Sequence, residues 1–229
     1  MRELAEGVWQ LRGAPPNAVN VYLLDGVLID AATRLEAGRI ARQLEGQSVT
    51  AHALTHAHPD HQGSSHALCE RLGIPFWVGE GDADAAEDPR LMADGILPGT
   101  IARNPIARSL SGMLAGPGHR VDRRLREGDE VGGFAVLETP GHTAGHLSFW
   151  RESDRVLVLG DVVFNVDLLG GRPGMIEPPS PVNRDSDLNR ASARRLADLE
   201  PDLVCFGHGP PHLDGASFAE FVGGSSSSR

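Results

Sequence analysis

The heptapeptide Thr55-His56-Ala57-His58-Pro59-Asp60-His61 gathers three imidazoles and a carboxylate into seven residues. At this composition the coincidence has a chance on the order of one in a thousand over the chain, so it demands a chemical reading. Val49 to Thr55 before it reads as a strand, and Ser64 to Leu72 after it as a helix ended by Gly73. His56 and His58 thus leave a strand end two residues apart, where extended backbone points both side chains the same way, and they can share one cation. Asp60 and His61 lie past Pro59, at the turn into the next helix, displaced enough to serve a second cation.

Four donors are too few for two catalytic ions, and further donors stand in comparable places. His142 follows the strand Phe134 to Glu138, Asp161 follows the strand Arg155 to Leu159, and His208 follows the strand Asp202 to Phe206. Gly141, Gly160 and Gly207 immediately precede them, where a missing Cβ lets the backbone turn sharply toward a site. Five imidazoles and two carboxylates suit zinc and would also accept iron or manganese.

Outward from these donors, strands and helices alternate. Gly7 to Arg12, Ala18 to Leu24 and Val27 to Ile29 read as strands, the last two joined by an Asp25-Gly26 turn, and Leu35 to Leu44 reads as a helix. Residues 80 to 125 break the rhythm and are expected to be an insertion that forms a lid. Residues 165 to 185 read as a Gly/Pro-rich loop, Asp185 or Ser186 as the cap of a helix to Leu199, and residues 223 to 229 as a disordered tail. Two sheets with flanking helices in one α/β domain, residues 1 to 222, account for the pattern.

Composition narrows the chemistry. All 21 basic residues are arginines, so a Schiff base, a phosphate-loop lysine and a Ser-Lys pair are excluded. Thirty-one acids give a formal charge of −10, which disfavours nucleic acid as a partner. No apolar run approaches the roughly 18 residues of a membrane span, and Met1 to Glu6 lacks the apolar core of a signal peptide, so a cytoplasmic enzyme with a small-molecule substrate is expected. Cys69 and Cys205 read as buried thiols. There is no Gly-x-Ser-x-Gly segment to suggest a serine hydrolase. The sequence leaves the oligomeric state open.

The HxHxDH motif and the later His, Asp and His, matched in order over residues 7 to 210, resemble the metallo-β-lactamase superfamily. The resemblance implies a four-layer αβ/βα sandwich with the site at one edge between the sheets. It also implies that His56, His58 and His142 bind a first metal, that Asp60, His61 and His208 bind a second, and that Asp161 bridges them. Asp161 and the segment Gly141-His142-Thr143-Ala144-Gly145-His146 look like the glyoxalase II branch of thioester hydrolases. On that reading the cofactors are two zinc ions, and a hydroxide held between them attacks the acyl carbon of a thioester, ester or lactone. Asp60 orients the nucleophile and carries its proton to the leaving group. Thr55, Thr143 and His146 are expected to support the ligands from behind, His146 by orienting the His142 loop. The alternatives are a mononuclear iron oxidoreductase resembling persulfide dioxygenases and a β-lactam-hydrolysing member of the same fold. His52, His66, His119 and His212 stand outside the pattern and read as ordinary surface or core residues.

Overall fold

The computed structural model describes residues 1–88, 91, 116–167 and 171–224. The first sheet runs in chain order from β1 (Arg2–Ala5) through β2 (Val8–Gln10), β3 (Tyr22–Leu24), β4 (Val27–Ile29), β5 (Ala51–Ala53) and β6 (Phe76–Gly79) to β7 (Arg123–Leu125). Its first half is antiparallel and its second half, from β4 to β7, is parallel. Asp25 (φ 41°) and Gly26 (φ 87°) both take left-handed backbone, which matches the right-handed twist of the hairpin they close. The second sheet comprises β8 (Glu130–Val131), β9 (Phe134–Glu138), β10 (Leu147–Arg151), β11 (Val156–Gly160) and β14 (Leu203–Phe206), ordered β14-β11-β10-β9-β8.

Alternate residues of both sheets meet in one apolar layer. Tyr22, Leu24, Ile29 and Ala53 from the first sheet pack with Phe134, Val136, Phe149 and Val158 from the second. Each large side chain fully removed from water there stabilises the fold by roughly 1.5–3 kcal/mol. The opposite faces are covered by helices. Leu28, Ile40 and Leu68 join the first sheet to α1 (Ala37–Gln43) and α3 (Ser65–Leu72), and Ala86 adds α4 (Ala83–Glu87). Leu157, Leu159, Leu196 and Phe218 join the second sheet to α5 (Ser186–Ala197) and α6 (Gly215–Gly224). The result is a four-layer αβ/βα sandwich.

Several segments differ from the sequence expectation. The loop expected over residues 165 to 185 contains a small hairpin, β12 (Phe164–Val166) with β13 (Pro173–Ile176). Of residues 80 to 125, the described ends are structural: Glu80–Asp82 and α4 follow β6, and β7 is the last strand of the first sheet. Residues 89–90 and 92–115 lie outside the described residues, and so does the tail from 225, while Gly223 and Gly224 end α6. Both cysteines are buried and free. Among the described residues no helix is long and apolar enough to cross a membrane.

Candidate metal centre

The strands β5, β9, β11 and β14 end at the same rim of the sandwich, and the residues that follow them meet there. His58 is extended (φ −70°, ψ 150°), and Pro59 then opens the short helix α2 (Pro59–Gln62). Proline suits that first helical position, because its fixed φ is helical and its missing N–H would have no partner anyway. The His56 and His61 rings stay adjacent across this break in direction, with centroids 4.1 Å apart.

Two groups of donor atoms result, each with its atoms within 4.8 Å of one another: His56, His58, His142 and Asp161, and beside them Asp60, His61 and His208. His58 Nδ1 lies 3.0 Å from His142 Nε2, and His61 Nε2 lies 3.3 Å from His208 Nε2. Asp161 Oδ2 reaches into both groups, 3.4 Å from His142 Nε2 and 3.7 Å from His56 Nε2 on one side, 3.3 Å from His61 Nε2 and 3.2 Å from His208 Nε2 on the other. Asp60 Oδ2 lies 3.4 Å from His208 Nε2 and 3.8 Å from His61 Nε2. All seven donors singled out in the sequence therefore share one site.

The outer hydrogen bonds decide which nitrogen faces inward. Thr55 Oγ1 donates to Asp30 Oδ2 (2.8 Å) and so accepts from His56 Nδ1 (3.0 Å), leaving the His56 Nε2 lone pair inside. His61 Nδ1 donates to Asp30 Oδ2 (2.9 Å), His142 Nδ1 to Asn183 Oδ1 (2.7 Å) and His208 Nδ1 to the Ala18 carbonyl. Each of these ligand candidates is thus held in the tautomer a cation needs. His56 Nε2 and Asp161 Oδ1 are buried and have no hydrogen-bond partner. A buried polar atom left so costs about 1–3 kcal/mol, and a divalent cation would satisfy His56 Nε2. The donor set, imidazole nitrogen with carboxylate oxygen, fits zinc or iron.

Electrostatics agree. Burial, reinforced by the neighbouring imidazoles of His61 and His58, holds His56 well below the ordinary imidazole range, and burial with His142 does the same to His58. Burial also disfavours protonation of His61 and His208, but the Asp161 carboxylate outweighs it and raises both, with Asp30 and Asp60 adding to the effect at His61 and Asp60 at His208. Asp161 is driven well below its usual value, because His208, His61 and His56 overcome the burial that would raise it. The excess negative charge that draws protons to His61 and His208 is the charge a cation would neutralise instead.

Supporting residues divide into those the sequence indicates and those it hides. Thr55 Oγ1 bridges Asp30 and His56. Thr143 Oγ1 donates to Asp82 (2.6 Å). His146 joins neither donor group: its Nδ1 bonds Thr139 Oγ1 (2.8 Å) and its Nε2 accepts from the Asp161 amide (3.0 Å). Its side chain therefore ties the end of β9 to the end of β11, where the sequence suggested support of the His142 loop. Asp30, Asp82 and Asn183 carry no motif in the sequence. Asp30 accepts from Thr55 N–H (2.8 Å) as well as from Thr55 Oγ1 and His61, and Asp82 binds the Ala57 (3.1 Å) and Gly145 (2.7 Å) amides. Burial pushes the Asp82 carboxyl up despite those donors. The one cue to Asp30 in the sequence is a charged residue directly after the apolar run Val27-Leu28-Ile29. Close packing also explains two of the glycines: a Cβ at Gly207 would lie 1.9 Å from Asp161 Oδ1, and one at Gly160 (φ 62°) would lie 2.7 Å from His146 Nε2.

Comparison with known proteins places this geometry in a context. Residues 14–208 match the family model described as metallo-beta-lactamase superfamily. The chain is 30% identical to "Probable metallo-hydrolase YflN" of Bacillus subtilis, over 94% of this chain and 88% of that protein. It is 33% identical to a hydroxyacylglutathione hydrolase of a Bradyrhizobium strain over 137 residues, 57% of this chain and 41% of that one. Among solved structures, TTHA1623 in a di-iron-bound form superposes with a TM-score of 0.67 at 30% identity, covering 90% of this chain and 94% of that one.

Proposed function

The chain belongs to the metallo-beta-lactamase superfamily, and from that premise we propose that it is a dinuclear metal-dependent hydrolase attacking the acyl carbon of a small thioester, ester or lactone. The observation that carries this reading is the reach of Asp161 Oδ2 to imidazoles of both donor groups, 3.4 Å from His142 Nε2 and 3.2 Å from His208 Nε2. A carboxylate so placed suits a bridge between two ions. His56, His58 and His142 would hold one ion and Asp60, His61 and His208 the other, with zinc as the metal and iron as the alternative that the di-iron relative supports. Ions bound there would acidify water to a pKa of about 7 and stabilise charge on an oxyanion.

The chain's own residues supply orientation. Asp30 and Asn183 fix the His61 and His142 rings through Nδ1, and His146 holds the Asp161 backbone. The Asp60 side chain is 37% exposed while His61 is fully buried, so Asp60 is the member of its group that meets substrate and solvent. It would accept a hydrogen bond from the nucleophile and hand the proton to the leaving group. Arg184 is exposed and joined through its amide to the His142 carbonyl (3.1 Å), so its side chain would be available to an anionic substrate. The thioester class draws support from the hydroxyacylglutathione hydrolase likeness.

The test is one hydrolysis panel, a glutathione thioester, an acyl-homoserine lactone, a cephalosporin and a phosphodiester, run with and without chelator and after return of zinc or iron. Chelator-sensitive turnover of an acyl substrate is expected. Oxygen consumption with one iron per chain and no acyl hydrolysis would replace the reading with an oxidoreductase.

A further inference from the structure

Outside the centre a third group of donors comes together on the far side of α3. His66 and Glu70 stand four residues apart on that helix, one turn along the same face. His119 belongs to the stretch that leads into β7. Its Nδ1 lies 3.0 Å from His66 Nδ1, and the ligand atoms of His66, Glu70 and His119 all lie within 4.8 Å of one another. We propose that His66, Glu70 and His119 form a separate cation site for a zinc-class metal, which clasps the segment entering β7 onto α3.

Three features make the group a prepared site. First, the nitrogen separation equals the 3.0 Å between His58 Nδ1 and His142 Nε2 in the centre and is close to the about 3.3 Å that two nitrogens on one tetrahedral zinc adopt. Second, the segment that bears His119 is held from outside. The His119 amide bonds the Ala86 carbonyl (3.2 Å), the Val121 amide bonds Glu87 Oε1 (2.8 Å), and Asp122 Oδ2 accepts from the Phe76 amide (3.0 Å). The His119 ring rests edge-on against Phe76, with ring centroids 5.8 Å apart. Third, neither ring is freely solvated, both being of intermediate exposure, while Glu70 is exposed and brings a compensating charge. Partial burial and the facing His66 ring keep His119 below the ordinary imidazole range.

The donors are two nitrogens and one carboxylate oxygen, which suits zinc better than calcium or magnesium and leaves a coordination position to water. The site has a mechanical consequence. Gly116, three residues before His119, packs so closely on Gly63 that a Cβ would fall 2.0 Å from the Gly63 carbonyl oxygen. Gly63 directly follows α2, which bears Asp60 and His61. A cation at His119 would therefore steady the segment that abuts the metal-binding helix, without touching the centre itself.

The experiment counts ions by native mass spectrometry on the full chain equilibrated at about 1 μM free zinc, for wild type, His119→Gln, His66→Gln and Glu70→Gln. Wild type should carry one zinc more than each histidine variant, and Glu70→Gln should fill the extra position only at higher zinc. The thermal midpoint should rise with zinc in wild type more than in His119→Gln after the centre is saturated. Because the readout is a difference of one ion, it holds whatever number the centre itself binds. The same zinc count in wild type and both histidine variants, or an extra ion appearing only near millimolar zinc, would overturn the proposal in favour of a bare imidazole pair. His66→Gln and His119→Gln lie on separate segments, so misfolding of one leaves the other decisive.

Discussion

Replacing Asp30 with asparagine isolates the outer support of the centre, because shape is kept and one acceptor becomes a donor. Asp30 has left-handed backbone (φ 60°), which asparagine tolerates, so the main chain need not move. Its two oxygens accept from Thr55 N–H (2.8 Å), Thr55 Oγ1 (2.8 Å) and His61 Nδ1 (2.9 Å). An amide has one acceptor oxygen. If its NH2 group faces Thr55 N–H, two donors meet; if it faces His61, the ring must shift its proton to Nε2, which points at Asp161 Oδ2 from 3.3 Å. Either arrangement removes a lone pair or an anchor from the group Asp60, His61 and His208. Loss of such a partner typically costs about 10–100-fold in metal affinity, or ~1.4–2.7 kcal/mol. The assay is competition with a fluorescent chelator: affinity for the ion that Asp60, His61 and His208 would hold should fall by that factor, and loss of the Thr55 Oγ1 anchor would weaken the ion at His56 as well. Unchanged affinity for both ions, in a variant with a wild-type fold, would show that Asp30 does not orient His61.

Three further outcomes follow from the same geometry. Gly207→Ala would push a methyl to 1.9 Å from Asp161 Oδ1, and a displacement of about 1 Å at the reacting groups costs roughly 100-fold in rate; kcat and the zinc count should fall together, with far-UV circular dichroism retained. His52, buried between the Leu28 carbonyl (3.0 Å) and Ser65 Oγ (2.8 Å), is lowered from 6.5 to about 4 by burial. The unfolded chain takes up that proton first, so stability is lost as pH falls from 6.5 toward 4, by about 2 kcal/mol at pH 5, and denaturant titrations of His52→Gln should show a shallower decline. Tyr22→Phe removes the bond from Tyr22 Oη to the Phe206 carbonyl (2.8 Å), which braces the strand end before His208, and should lower stability by about 1 kcal/mol in urea denaturation.

The donors were legible because chemistry demands several of them at strand ends, and strand ends are visible in apolar runs such as Phe134 to Glu138, whose bounds the fold reproduces. The cap at Asp185 was legible for a similar reason: its side chain accepts from the Leu188 amide, the local bond that a short carboxylate before a helix makes. Short edge elements were not. β1, β7 and the hairpin of β12 and β13 are three or four residues long and acquire their structure from neighbours rather than from periodicity. Helix α6 was not read from the sequence, and its last residues, Gly223 and Gly224, read as the start of a disordered tail, although Phe218 and Val222 dock on the second sheet. Asp30, Asp82 and Asn183 were hidden because their roles depend on partners 25 to 63 residues away. The pairing of His66 with His119, 53 residues apart, escaped for the same reason.

The most direct measurement is anomalous X-ray diffraction at the zinc and iron absorption edges from crystals of the metal-loaded protein. The account predicts two peaks at the rim of the sandwich, one within about 2.3 Å of His56, His58 and His142 nitrogens and the other equally close to His61 and His208, with Asp161 in contact with both. A single peak there, or none, with Asp161 turned away from one of the groups, would contradict it.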